Sequence, residues 1–162
     1  MRPTNQGTKT HLSLILWTLG LIAIGGAIGS LTKPEISTWY STLNRSTLTP
    51  PNYLFPIAWT ILYGIIGACG WLIWRPQAFT KLSVIKTLYV AQLILNWSWT
   101  PLFFHYHLTG LALVVLGAMD ILVSVLICLA YRKIRAASLL MIPYLSWILF
   151  ATYLSFYIWQ YN

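Results

Sequence analysis

Apolar residues along this chain come in long runs, and the charged residues are confined to the gaps between them. Residues 12–32, 46–74 and 136–162 contain no Asp, Glu, Lys or Arg, and 87–131 contains only Asp120. A helix needs roughly 20 apolar residues to cross the hydrocarbon of a bilayer. Each shorter run therefore holds one crossing and the long run holds two. The expected fold is an all-α membrane protein, a five transmembrane helix bundle with a structured loop between helices 1 and 2. Its helices are expected at about 12–31, 51–74, 84–104, 108–130 and 138–159, by hydropathy and period. A polar N-terminal tail over 1–11 precedes a single domain over 12–162. The first run is too long for the core of a signal peptide and lacks a cleavage site followed by a soluble chain, so it reads as a true first helix.

Within the runs, polar and aromatic residues recur at helical spacing. On the second helix, expected to start at the Pro50-Pro51 pair, Pro56, Trp59, Tyr63, Gly67 and Gly70 share one face. On the third, Gln92, Asn96, Trp99 and Phe103 do the same. Amides are costly in hydrocarbon without partners, so that face looks into the bundle. The fifth is expected to open at Pro143-Tyr144 and aligns Trp147, Ala151 and Leu154. In the first helix, Gly25 and Gly29 are four apart, a spacing that lets a neighbour approach closely. The connection over 32–50 carries Pro34, Trp39, Tyr40 and Leu43, enough apolar surface to pack down as a lid.

Composition confirms the class and narrows the function. Hydrophobic residues make up 58% and charged residues 7%, against about a quarter charged in soluble domains. The net charge of +8 invites a nucleic-acid reading, but its placement answers a different question. Arg2, Lys9, Arg75, Lys81, Lys86, Arg132, Lys133 and Arg135 fall on one side of the expected membrane, and Lys33 and Arg45 on the other. That asymmetry places the N-terminus in the cytoplasm for a bacterial inner membrane, and nucleic acid is not an expected partner. Cys69 and Cys128 both lie within expected spans, so neither a disulfide nor a metal site is expected. His105 and His107 read as interfacial loop residues rather than metal ligands.

Nine tryptophans divide by position. Trp17, Trp74 and Trp159 lie near span ends, where indoles anchor to the membrane boundary. Trp97 points away from the amide face. Trp59, Trp99 and Trp147 either fill the core or wall a flat cavity suited to a large planar apolar ligand. Asp120 stands alone in its run; it is either a structural acid facing a hydroxyl or amide, or part of a proton relay.

Three blocks carry a resemblance. They are W-Y…P-P…F-P-x-x-W-T-x-L-Y over 39–63, Q-L-x-L-N-W-x-W-x-P-x-F-F over 92–104 and P-Y-L-x-W-x-x-F-A-T-x-L over 143–154. In this order they resemble the tryptophan-rich sensory protein and translocator protein (peripheral benzodiazepine receptor) family, from about Gly25 to Asn162. The resemblance implies a membrane receptor or transport protein, often a homodimer. It would bind tetrapyrroles such as protoporphyrin IX, and sterols or synthetic isoquinoline and benzodiazepine-type ligands. Some bacterial relatives are implied to degrade porphyrin in light, an alternative for which Trp59 and Trp147 are the weak catalytic candidates. In a eukaryote, the mitochondrial outer membrane would be the implied location.

By motif, Trp59 and Trp147 match the tryptophans flanking the ligand. Asn52, Phe55, Asn96, Trp99, Ala151 and Leu154 match pocket positions, and Trp39 lies in the lid. Tyr63 and Gln92 join them by their faces, and Arg45 is the candidate contact for a propionate. No cofactor is required in this reading; the porphyrin is the ligand, with the lipid membrane as surroundings. Departures from the family pattern are Leu48, where relatives usually hold a tryptophan, and Leu111 in place of the helix-4 tryptophan. No Lys or Arg follows Tyr157, so sterol recognition is not expected. The family's own acid aligns near Val115 and not at Asp120.

Overall fold

The computed structural model describes residues 6–75 and 82–162, with side chains from Leu12 onward. The expected placements of Arg2, Lys9 and Lys81 lie outside the described side chains. Among the described residues all regular structure is helical: α1 (Gln6–Ser37), α2 (Trp39–Thr42), α3 (Leu54–Trp74), α4 (Ser83–Thr100), a π-helical turn (Pro101–His105), α5 (Thr109–Tyr131) and α6 (Arg135–Tyr161). Four of these, α1, α3, α5 and α6, are long and apolar enough to cross a membrane. This departs from the expected count of five spans. The short α4 carries Lys86, Gln92, Asn96 and several hydroxyls, which dilute its apolar character.

Prolines account for most of the shifted boundaries. Helix α1 starts at Gln6, continuous with the expected tail, and runs on through Pro34 to Ser37. A proline removes one intrahelical donor, and the following turn is reinforced by hydroxyls. Ser37 Oγ and Thr38 Oγ1 donate to the Pro34 carbonyl at 3.0 and 3.1 Å. Much of the expected loop is therefore helix, and the true loop is 43–53. Helix α3 begins at Leu54 rather than Pro51, because Leu54 N–H closes a turn onto the Pro51 carbonyl at 2.9 Å. Pro56 then sits in the first turn, where N–H groups have no helical partner in any case. Helix α6 begins at Arg135 and includes Pro143, so the expected opening at Pro143-Tyr144 is mid-helix.

Pro101 has the opposite effect and ends α4. Beyond it the chain widens into a π-turn closed by Tyr106 N–H to the Pro101 carbonyl at 3.0 Å. That turn buries Phe103. His107 follows with φ 54°, the one non-glycine residue with positive φ among the described residues.

Close approach by glycine joins α1 to α3. A Cβ at Gly25 would collide with the Tyr63 ring, and one at Gly67 would meet Thr18 at 2.6 Å. Gly29, the other half of the expected pair, faces open space. Helices α5 and α6 form the most extensive pair, with α3 and α4 closing the interior around Tyr89, Leu126, Met141, Tyr144 and Ile148. Helix α1 touches chiefly α3 and leaves most of its surface outward.

Candidate functional site

Three helices supply the polar interior. Tyr63 on α3 donates its hydroxyl hydrogen to Asn96 Oδ1 at 2.7 Å. Asn96 Nδ2, on α4, donates to the Tyr144 hydroxyl on α6 at 3.1 Å. Tyr144 in turn donates to Gln92 Oε1 at 2.9 Å. The donated hydrogens all run one way, from Tyr63 through Asn96 and Tyr144 to Gln92, and all four residues are buried. The expectation that the amides face inward holds, for the stated reason that their polar atoms need partners.

The chain also revises what the amides have left to offer. Asn96 is engaged by tyrosines at both ends of its side chain. The Gln92 amide nitrogen and the Trp99 and Trp97 indole nitrogens are buried with no hydrogen-bond partner. The free donors of this wall therefore belong to Gln92 and Trp99. Tyr144, which links the two amides, was not among the expected site residues. Its signal was available: it lies three residues before Trp147, on the same face of a helix.

The aromatic residues separate into two groups. In the first, Phe55 on α3 meets Trp147 edge-on at 6.2 Å, and Trp59, one turn along from Phe55, leans on Tyr63 at 5.7 Å. Trp59, Trp147 and Ala151 are partly buried against the main core, and Leu154 is buried near them on α6. In the second group, Trp39 packs edge-on against Phe103 at 5.5 Å and stacks on His107 at 4.0 Å with planes 16° apart. Trp99 bridges the two, stacked on Phe103 at 5.0 Å while also packed on the main core. Trp39 is thus brought to the π-turn and not to Trp59 or Trp147.

Arg45 and Asn52 belong to the loop. The Arg45 guanidinium lies 5.1 Å over the Tyr40 ring. Burial pushes the Tyr40 hydroxyl above its ordinary pKa, and the Arg45 charge opposes that shift. Asn52 is exposed and lines an open depression of about 570 Å³ with Asn44, Arg45, Ser46 and the two prolines. The loop is tied to the end of α6. Asn44 N–H donates to Asn162 Oδ1 at 2.8 Å, Asn162 Nδ2 returns a bond to the Asn44 carbonyl at 3.2 Å, and Ser46 Oγ meets the Tyr153 hydroxyl at 3.1 Å. A second tie joins α1 to the turn before α5, where His107 Nε2 lies 3.3 Å from Glu35 Oε2. Neither tie was visible in spacing patterns, since each joins residues far apart in sequence. Leu48, where the sequence departs from the expected motif, is exposed.

Among the described residues no group of three His, Cys, Asp or Glu side chains is arranged to hold a metal. Cys69 is buried and Cys128 exposed, both free.

Long apolar helices packed around a buried polar chain define an integral, multi-pass membrane protein of all-helical class. The family follows from comparison with known proteins. The family model described as TspO/MBR matches residues 17–160, and the chain belongs to that family. It is 40% identical over 151 residues to a tryptophan-rich protein TspO of Archaeoglobus fulgidus, covering 93% of this chain and 97% of that one. It is 33% identical over 143 residues to the human translocator protein, covering 86% and 85%. With a tryptophan-rich sensory protein of Cereibacter sphaeroides it shares 32% identity over 144 residues, covering 89% and 88%.

Proposed function

We propose that this protein binds tetrapyrroles of the protoporphyrin IX type within the membrane, as a sensor or translocator, against the aromatic wall of α3, α4 and α6. The observation that carries this reading is the grouping of Trp59, Phe55 and Trp147 beside a buried wall whose Gln92 and Trp99 donors have no partner. Flat aromatic surface with a few unspent donors suits a large planar ligand rimmed by acceptors. Each indole stacked on the macrocycle would contribute about 1 kcal/mol. In this reading Arg45, which lines the loop depression, pairs with a propionate. The names translocator and sensory protein among the relatives accord with this reading.

In this proposal α4 and its π-turn cross the membrane as the fifth span, paired with the apolar faces of α3 and α5. The basic side faces the cytoplasm of a bacterial inner membrane, and the functional unit is a homodimer. Titration of the detergent-solubilised protein with protoporphyrin IX, read by tryptophan fluorescence, is the test. Saturable quenching that disappears in the Trp59→Ala, Trp147→Ala double variant is expected. Quenching that never saturates, or is the same in the double variant, overturns the proposal.

A further inference from the structure

Asp120 is the single aspartate of the chain and lies midway along α5, far from the aqueous ends of the helix. Its surroundings pose a problem of hydrogen counting. Thr152 Oγ1 on α6 lies 2.8 Å from Asp120 Oδ2, and the same oxygen lies 2.9 Å from the Ile148 carbonyl. Asp120 Oδ1 is buried with no partner at all. A threonine hydroxyl has one hydrogen to give and two lone pairs to receive. A main-chain carbonyl has none to give. One hydroxyl hydrogen can be shared between two acceptors, as at Ser41 with the Ser37 and Thr38 carbonyls, but a proton on the carboxyl gives each Thr152 contact a hydrogen of its own.

No positive charge competes with this assignment. Residues 87–131 and 136–162 contain no Lys or Arg, and the one contact between a basic side chain and a carboxylate among the described residues joins His107 to Glu35 at the loop end. The groups facing Asp120 from α6 are Thr152 and, farther off, the Tyr144 hydroxyl. From α4 the buried polar groups are the neutral Gln92 and Asn96 amides. A carboxylate here would meet one neutral donor in a medium that penalises unpaired charge severely.

We propose that Asp120 is a proton-binding site of the membrane interior. Its carboxyl holds a proton on Oδ2 and donates it to Thr152 Oγ1, which in turn donates to the Ile148 carbonyl. Release of the proton to water leaves a carboxylate and draws the Thr152 hydrogen off the Ile148 carbonyl onto Asp120. The change falls on α6 one residue from Trp147 and next to Ala151, so proton occupancy is coupled to the helix that carries the proposed ligand wall. This inference does not depend on which ligand that wall accepts.

The test exploits the chain's having one aspartate. Protein labelled with ¹³C at the aspartate side-chain carboxyl carbon, reconstituted in lipid, reports Asp120 alone in the infrared. At neutral pH the labelled band is expected at the C=O stretch of a protonated carboxylic acid. It should shift down in D₂O and disappear in Asp120→Asn. Thr152→Val removes the acceptor, so the band should move to higher frequency while remaining protonated. A labelled band at the carboxylate position in the folded wild-type protein overturns the proposal. A protonated band that Thr152→Val leaves unmoved overturns the bond to Thr152. Because the labelled wild type gives the answer alone, failure of either variant to fold does not remove the test.

Discussion

The deep polar chain and the loop-side ties both fasten separate helices together, but under different physical conditions. Tyr63, Asn96, Tyr144 and Gln92 are buried, so a bond lost there finds no water to replace it. Asn44, Ser46, Glu35 and His107 act at the membrane edge, mostly with exposed groups, where solvent competes for every donor. The interior arrangement specifies how α3, α4 and α6 meet. The loop-side ties hold 43–53 and the π-turn closed at small cost to open. In the proposed site the first region would be a rigid wall and the second a cover that can yield.

The largest effect should come from breaking the interior. Tyr144→Phe removes one hydroxyl and strands both Asn96 Nδ2 and Gln92 Oε1. Thermal unfolding in detergent should show a loss of about 2 kcal/mol, within the range for buried unsatisfied groups and above the average for membrane hydrogen bonds. A loss no greater than that of the loop variants below would erase the distinction between the two regions. Next in size is a gain at the cover. Leu48→Trp adds an indole on the exposed loop and should tighten protoporphyrin IX binding by about 1 kcal/mol, roughly fivefold, with little change in stability.

Smaller effects are expected at the ties themselves. Ser46→Ala removes the contact with Tyr153 and should cost about 0.5–1 kcal/mol. It should also speed amide exchange across 43–53 while leaving 89–96 unchanged. Exchange that rises equally in both segments would mean that the loop is not an independent opening unit. The smallest effect belongs to Glu35→Gln, since exposed ion pairs contribute about 0–1 kcal/mol. Its readout is the fluorescence of Trp39, which stacks on His107.

Helical spacing in the sequence picked out the inward face of α4 and the Tyr63 side of α3, because the price of a bare amide in hydrocarbon leaves one orientation. The boundaries were less legible, and proline is the reason. Pro34 was assigned to the connection and Pro143 to the opening of a helix, yet membrane helices continue through proline when neighbouring hydroxyls and packing make up the lost bond. Pro101 did end its helix, but nothing in the local pattern announces a π-turn. Trp39 was placed in the lid by its motif, whereas its partners His107 and Phe103 lie more than sixty residues away. Tyr144 was overlooked because the proline before it suggested a helix start.

The central claim is that the wall built by Trp59, Phe55 and Trp147 holds a flat tetrapyrrole. Its most direct measurement is an absorbance titration of protoporphyrin IX into lipid-reconstituted protein. The wild type, the Trp59→Ala, Trp147→Ala variant and a Trp17→Ala, Trp74→Ala control should be compared. Loss of two stacked indoles at about 1 kcal/mol each should weaken binding roughly thirtyfold. The control, altered where Trp17 and Trp74 pack together near the opposite end of α3, should bind like the wild type. Equal binding by all three proteins would contradict the account.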